Sequence, residues 1–193
     1  MIGDSWTHKI ARICVLPLIN TPISPNHLTI VRLITGIIAC TAFALKMNVF
    51  GGIFWLISTF LDRADGELAR ISGKTTEWGH KFDYYTDTFI TALFFISIGI
   101  SLHDNLPNSW SIIMGICAAV GVIFTEIYAE VIDQKKRSTG KKAYPGVMGF
   151  DFDDILYLFA PIVWLNWHLP FLLGASIGAP AFAIFTLYCS KKI

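Results

Sequence analysis

The chain has 193 residues, 54% apolar and only 15% charged, against roughly 25% charged in an average soluble domain. Fifteen Lys and Arg oppose fourteen Asp and Glu for a net charge of +1, so no general attraction to nucleic acid is expected. With a mean hydropathy of +0.57, this composition excludes a disordered or fibrous chain and predicts an all-α membrane protein with several spans.

In chain order, Trp6, Ile10, Ile13 and Pro17 recur near helical spacing with His8, Lys9 and Arg12 between them, which predicts a short amphipathic helix lying in the membrane interface. Asp4, His8, Lys9 and Arg12 interrupt the apolar residues and no small-residue cleavage site follows, so a removable signal peptide is not expected. Apolar stretches then run near Leu28 to Leu45, Val49 to Leu61, Tyr85 to Leu102, Trp110 to Val131, Ile155 to Trp167 and Leu169 to Cys189. They predict six transmembrane helices. The second and fifth fall short of the roughly 20 residues that a span needs, so each should extend into its polar flank. No linker or repeat divides the chain, and residues 1–193 read as a single domain. Cys14, Cys40, Cys117 and Cys189 lie far apart in apolar surroundings, without the paired spacing of a zinc or redox motif.

The basic residues sort to one side. Lys9, Arg12, Arg63, Arg70, Lys74, Lys81, Lys135, Lys136, Arg137, Lys141, Lys142, Lys191 and Lys192 fall in one set of connections, with Arg32 inside the adjacent end of the first span, and only Lys46 in the other. The positive-inside rule then places both termini, the connection from Asp62 to Lys81 and that from Asp133 to Asp154 on the cytoplasmic side.

The stretch from Phe60 to Phe89 carries the chemistry. On a helix, Asp62, Asp65, Gly66, Ala69, Arg70 and Gly73 form one stripe down a single face, because positions three and four apart are neighbours. After a break around Gly73 to Thr76, Gly79, Asp83 and Asp87 form a second stripe at the start of the third span. Four carboxylates facing one another would repel strongly. A divalent cation resolves the repulsion, and oxygen-only ligands favour hard ions, Mg²⁺ or Mn²⁺, two of which four carboxylates could hold around a phosphate. Small residues at positions 66, 69 and 79 leave room for a ligand to approach the backbone, and Arg70 could pair with a phosphate or a carboxylate.

Asp62, Asp65, Gly66, Ala69, Arg70, Gly79, Asp83 and Asp87 stand in the order D-x2-D-G-x2-A-R-x8-G-x3-D-x3-D. This resembles the signature of the CDP-alcohol phosphotransferase (phosphatidyltransferase) family, with no departure at a fixed position. Pro25, Asn26, Thr29 and Arg32 ahead of it also look like that family. The resemblance implies a homodimeric enzyme of the prokaryotic inner membrane, its site cytoplasmic. Such an enzyme moves a substituted phosphate from a CDP-linked donor, commonly CDP-diacylglycerol, to the hydroxyl of an acceptor alcohol and releases CMP. It further implies that Asp62, Asp65 and Asp83 are metal ligands, and that Asp87 contacts metal and serves as general base. Residues from Asp62 to Asp83, including Gly66, Ala69, Arg70 and Gly79, would cradle the cytidine diphosphate, with Asn26 as a further donor contact.

The acceptor is open at this point. Lys135, Lys136, Arg137, Lys141 and Lys142 suit a phosphorylated polyol such as glycerol 3-phosphate or inositol phosphate. Glu126, Glu130 and Asp133, with Asp151, Asp153 and Asp154, would suit a neutral or amine-bearing alcohol such as inositol or serine. Asp153 and Asp154 could equally cap the fifth span. His80 borders the site either as a supporting contact or as a solvated histidine, and Phe89, Phe94 and Phe95 are expected to pack rather than bind substrate. Two rivals to the family reading are a membrane prenyltransferase, which also uses aspartates to hold Mg²⁺ and a diphosphate, and an ion-coupled transporter.

Overall fold

Ser24 and Pro25 start the helix that delivers the site's first residues. Proline suits the first helical position because its missing N–H has no partner there anyway, and the Ser24 N–H donates to His27 Nδ1 at 3.1 Å. In the computed structural model, which describes residues 6–136 and 152–192, this helix, α2, runs Pro25–Ala44. Ahead of it lies α1 (Trp6–Val15), and after it come α3 (Asn48–Ser72), α4 (Glu77–Ser101), α5 (Trp110–Lys136), α6 (Phe159–Trp164) and α7 (His168–Lys192). There is no strand among the described residues. The chain is an all-α membrane protein.

Helix α2 packs against α3 and α4, α4 against α5, α5 against α7, and α1 and α6 both against α3. An aromatic cluster fills the middle: Trp55 lies 4.6 Å from Phe94, and Phe94 lies 4.7 Å from Phe159, centroid to centroid. Phe95 and Phe171 continue it. Phe94 and Phe95 are buried there as packing residues, as their apolar setting predicts, while Phe89 is exposed.

Four helical stretches are long and apolar enough to cross a membrane: Pro25–Ala44, Glu77–Ser101, Pro107–Lys135 and His168–Lys191. Helix α3 extends through its polar flank to Ser72, as its short apolar run requires. Its 25 residues measure about 38 Å at 1.5 Å per residue, longer than a core of roughly 30 Å, and Asp62 and Asp65 lie in its second half.

The expected fifth span differs. In place of a continuous helix over Ile155 to Trp167, a 3₁₀ stretch covers Phe152–Leu158, and α6 ends at Trp164. Pro161, in the first turn of α6, has no N–H with which to reach the Tyr157 carbonyl, so the α-helical ladder lacks a bond where the 3₁₀ stretch meets α6. Asn166, at φ 57°, then turns the chain into α7.

Helix α1 forms where the amphipathic pattern places it. Thr7, His8, Ala11 and Val15 are buried, while Trp6, Ile10, Ile13 and Leu16 are exposed. At the end of the molecule opposite the acidic stripes, Lys46 Nζ donates to Asp104 Oδ2 at 2.7 Å, and this hydrogen bond holds the Asp104 carboxyl below its usual range.

Candidate active site

The two acidic stripes meet because of how the chain turns between them. Gly73 sits at φ 67° and ends α3 in the left-handed conformation that glycine adopts without a Cβ penalty. Three residues later Thr76 caps α4, its Oγ1 accepting from the Gly79 N–H at 2.9 Å. The break therefore falls at Gly73 to Thr76, as the sequence predicts.

Across this turn one carboxylate oxygen from each of Asp62, Asp65 and Asp83 comes within 4.8 Å of the others. Three hard oxygen donors at that spacing fit a divalent cation of the Mg²⁺ or Mn²⁺ type. Asp65 is only 3% exposed, and its Oδ2 accepts from Thr29 Oγ1 of α2 at 2.7 Å. Asp87, one helical turn beyond Asp83, joins the group through a residue that the sequence reading left without a role. Arg32 of α2, 3% exposed, reaches Asp62 Oδ1 at 2.6 Å, Asp83 Oδ1 at 2.8 Å and Asp87 Oδ1 at 2.6 Å. Its position inside an otherwise apolar span was the available signal, since a buried intramembrane charge is a functional hypothesis by default.

The carboxylates border an open cavity of about 1200 Å³ lined by Asn26, Asp65, Gly66, Ala69, Arg70, Gly79 and Asp83, among others. Every residue proposed for the donor except Asp62 is on this wall. Asp62 lines a much smaller pocket of about 10 Å³ together with Arg32 and Asp87. A Cβ on Gly79 would stand 2.8 Å from Asn26 Oδ1, whereas one on Gly66 would meet only Arg70 Nη2, at 3.7 Å. Gly79 thus gives the Asn26 and Thr76 side-chain ends their close approach to α4, and Gly66 leaves its space to the cavity.

Arg70 pairs with a carboxylate, but not with one of the four. Its Nη2 lies 2.6 Å from Glu67 Oε1 and 3.0 Å from His8 Nδ1. Glu67, 1% exposed, also accepts from Arg12 Nε at 2.9 Å. Next to it Arg63 Nη2 donates to Asp154 Oδ1 at 3.3 Å, and Thr7 Oγ1 donates to the same oxygen at 2.8 Å. Asp154 therefore ties α1 and α3 to the 3₁₀ stretch rather than acting only as a cap. The sequence reading missed this network because its members sit on three separate elements.

On the acceptor side, Glu130 and Asp133 of α5 line the same cavity as His80, which lies 3.7 Å from Glu130 Oε1. Glu126 is half-buried one turn further in. Lys135 Nζ donates to the Ser190 carbonyl at 2.8 Å. The expectations placed on Arg137, Lys141, Lys142 and Asp151, and on the side chains of Lys136 and Asp153, lie outside the described residues.

The all-helical membrane fold thus gathers three aspartates at the edge of one open cavity. The sequence profile described as CDP-alcohol phosphatidyltransferase matches residues 22–186, and the chain belongs to that family. That membership favours the family reading over the prenyltransferase and transporter rivals.

Among relatives, the chain is 36% identical over 84 residues to an archaetidylinositol phosphate synthase of Pyrococcus horikoshii, a match covering 42% of this chain and 45% of that protein. It is 27% identical over 106 residues to a bifunctional IPC transferase and DIPP synthase of Aquifex aeolicus, covering 55% of this chain and 24% of the relative. The matches thus span less than half of the length of either relative. The fold resembles that of Mycobacterium tuberculosis phosphatidylinositol phosphate synthase, PgsA1, in a structure with CDP-DAG bound. The TM-score is 0.62 and the identity 17%, with 97% of this chain and 90% of that one covered.

Proposed function

We propose that this chain transfers a phosphatidyl-type group from a CDP-linked lipid to a hydroxyl of a phosphorylated polyol of the inositol phosphate class, with release of CMP. The observation that carries the reading is the approach of Asp62, Asp65 and Asp83 to within 4.8 Å at the edge of a cavity walled by the small residues Gly66, Ala69 and Gly79. The volume of about 1200 Å³ exceeds the roughly 300–1,000 Å³ of ordinary small-molecule sites, which leaves room for a nucleotide headgroup and an acceptor together.

In this proposal Asp62, Asp65 and Asp83, with Asp87, hold one or two Mg²⁺ or Mn²⁺ ions, which supply charge neutralisation on the diphosphate when bound. Gly66, Ala69, Gly79 and Asn26 let the cytidine diphosphate lie against α2, α3 and α4. Arg70, held by Glu67 and His8 at the cavity wall, presents its guanidinium toward phosphate. Asp87 orients the acceptor hydroxyl and takes its proton as the new ester bond to phosphorus forms and the bond to CMP breaks. Residues 1–193 act as one domain, and two copies form a homodimer in the inner membrane with the site on the cytoplasmic face.

The acceptor assignment draws on the relatives, whose names include archaetidylinositol phosphate synthase and phosphatidylinositol phosphate synthase, and on the basic run from Lys135 to Lys142. Glu130 and Asp133 on the cavity wall favour a second reading, an amine-bearing alcohol such as serine. Purified protein with CDP-diacylglycerol, Mn²⁺ or Mg²⁺ and a panel of inositol phosphate, glycerol 3-phosphate, inositol and serine separates them. CMP release is expected with the phosphorylated polyols, inositol phosphate foremost. Release with serine alone would replace the acceptor, and release with none of the panel would remove the reaction.

A further inference from the structure

Arg32 is the charged residue closest to the proposed cation site that the scheme above leaves without a task. Its surroundings hold it in place. Gly36, one turn further along α2, lets that helix approach so closely that an added Cβ would stand 2.7 Å from Ile90 Cδ1 and 3.0 Å from Ser58 Oγ. Ser58 Oγ donates to the Arg32 carbonyl at 3.1 Å. The side chain enters between α3 and α4, and its planar fork divides its donors, Nη1 to Asp62 and Asp83 and Nη2 to Asp87. Arg32 bonds one oxygen of each of these carboxylates. With Asp65 included, one guanidinium faces four carboxylates, so their mutual repulsion is only partly relieved.

We propose that Arg32 is a resident counter-ion, a positioning residue that stands in for part of the cation charge while the carboxylate site is empty and weakens the hold on the divalent cation when the site is filled. The inference rests on the proposed cation site. The physical reason is the fixed location. A guanidinium wedged between three helices and bonded to three carboxylates stays in place when a second cation arrives, and a like charge beside the site opposes its binding. Without Arg32 the empty cluster would be less stable and would draw Mn²⁺ more tightly. With it, the acidic residues keep their places between cation arrivals.

The test uses the purified full-length chain in detergent and Mn²⁺ alone, with uptake followed by the EPR signal of free Mn²⁺ and thermal unfolding followed by tryptophan fluorescence. Arg32→Gln is expected to melt below wild type in EDTA and to bind Mn²⁺ at least tenfold more tightly, so that Mn²⁺ raises its melting temperature by more than it raises that of wild type. Arg32→Lys keeps the charge and is expected to bind Mn²⁺ within threefold of wild type. Arg63→Gln removes a buried arginine that pairs with Asp154 instead; it is expected to lower the melting temperature and leave the Mn²⁺ midpoint unchanged. Unchanged or weaker Mn²⁺ binding by Arg32→Gln would overturn the proposal. If that variant does not fold with or without Mn²⁺, a tenfold change in Arg32→Lys in either direction would overturn it. A wild-type protein that takes up no Mn²⁺ would remove the cation site itself, whereas normal uptake without the tightening removes only the counter-ion.

Discussion

Gly66 and Gly79 border the same cavity for different reasons, and substitution should separate them. Alanine at position 66 adds a methyl group that meets only Arg70 Nη2, at 3.7 Å. Because glycine inside a helix costs roughly 0.5–1 kcal/mol relative to alanine, Gly66→Ala is expected to melt slightly higher than wild type while donor affinity falls by about tenfold. At position 79 the methyl group would press on Asn26 Oδ1 and Thr76 Oγ1, at 2.8 and 2.9 Å. Displacing those side-chain ends offsets the gain that alanine brings to a helix, so Gly79→Ala is expected to melt no higher than wild type and to lose donor affinity. Thermal melts and CDP-diacylglycerol binding on the two variants check both. For Asp87, replacement by Asn is expected to lower turnover by about 10²–10⁴, the usual contribution of a positioned base, while CDP-lipid binding persists. Undiminished CMP release by that variant would take the base role away from Asp87. The aspartates were legible in the sequence because helical spacing puts each set on one face. Arg32 was not, because a lone arginine near the end of an apolar span reads first as a topology marker, and its three partners lie on other helices.

At the scale of the elements, the join between α1 and α3 is an ionic one. Glu67 accepts from Arg12 and Arg70 at 2.9 and 2.6 Å, with His8 Nδ1 3.0 Å from its Oε1, and Val15 packs with Ala64 and Leu68 beside them. Removing the Glu67 charge leaves the Arg12 and Arg70 guanidiniums facing a neutral amide. Breaking a buried pair costs about 3–5 kcal/mol, but Arg12 and Arg70 are half exposed, so about 1–3 kcal/mol is the appropriate range for Glu67→Gln. That variant is expected to melt lower and to be cut by trypsin at Lys9 and Arg12 sooner than wild type. Equal melting and equal cleavage would mean that α1 is held by its apolar contacts alone. The amphipathic pattern predicts α1 itself, since it needs only local spacing. Its attachment is invisible to such a pattern, because Glu67 and Asp154 are distant in sequence. The 3₁₀ form of Phe152–Leu158 is invisible for a related reason: a count of apolar residues from Ile155 to Trp167 does not register that Pro161 removes a bond from the ladder.

For the whole molecule, charge and chemistry share one end. Arg12, Arg63, Arg70, Lys74, Lys81 and Lys135 lie on α1, on the last turns of α3 and α5, in the turn after α3 and at the start of α4, while Lys46 pairs with Asp104 at the other end. By the positive-inside rule this distribution supports the proposed cytoplasmic placement of the aspartates. In a background lacking Cys14, Cys40, Cys117 and Cys189, Lys74→Cys is expected to react with a membrane-impermeant maleimide only from the cytoplasmic side, and Lys46→Cys only from the opposite side. The reverse pattern would invert the protein and place its site outside. The central claim is that the acidic faces of α3 and α4 form one divalent-cation site that supports transfer from a CDP-linked lipid. It is tested most directly by CMP release from CDP-diacylglycerol and inositol phosphate after stripping with EDTA, as Mn²⁺ is titrated back into wild type and Asp65→Asn. The account predicts no release in EDTA, full recovery of wild type with Mn²⁺ and no recovery of Asp65→Asn; release in EDTA at the undiminished rate would contradict it.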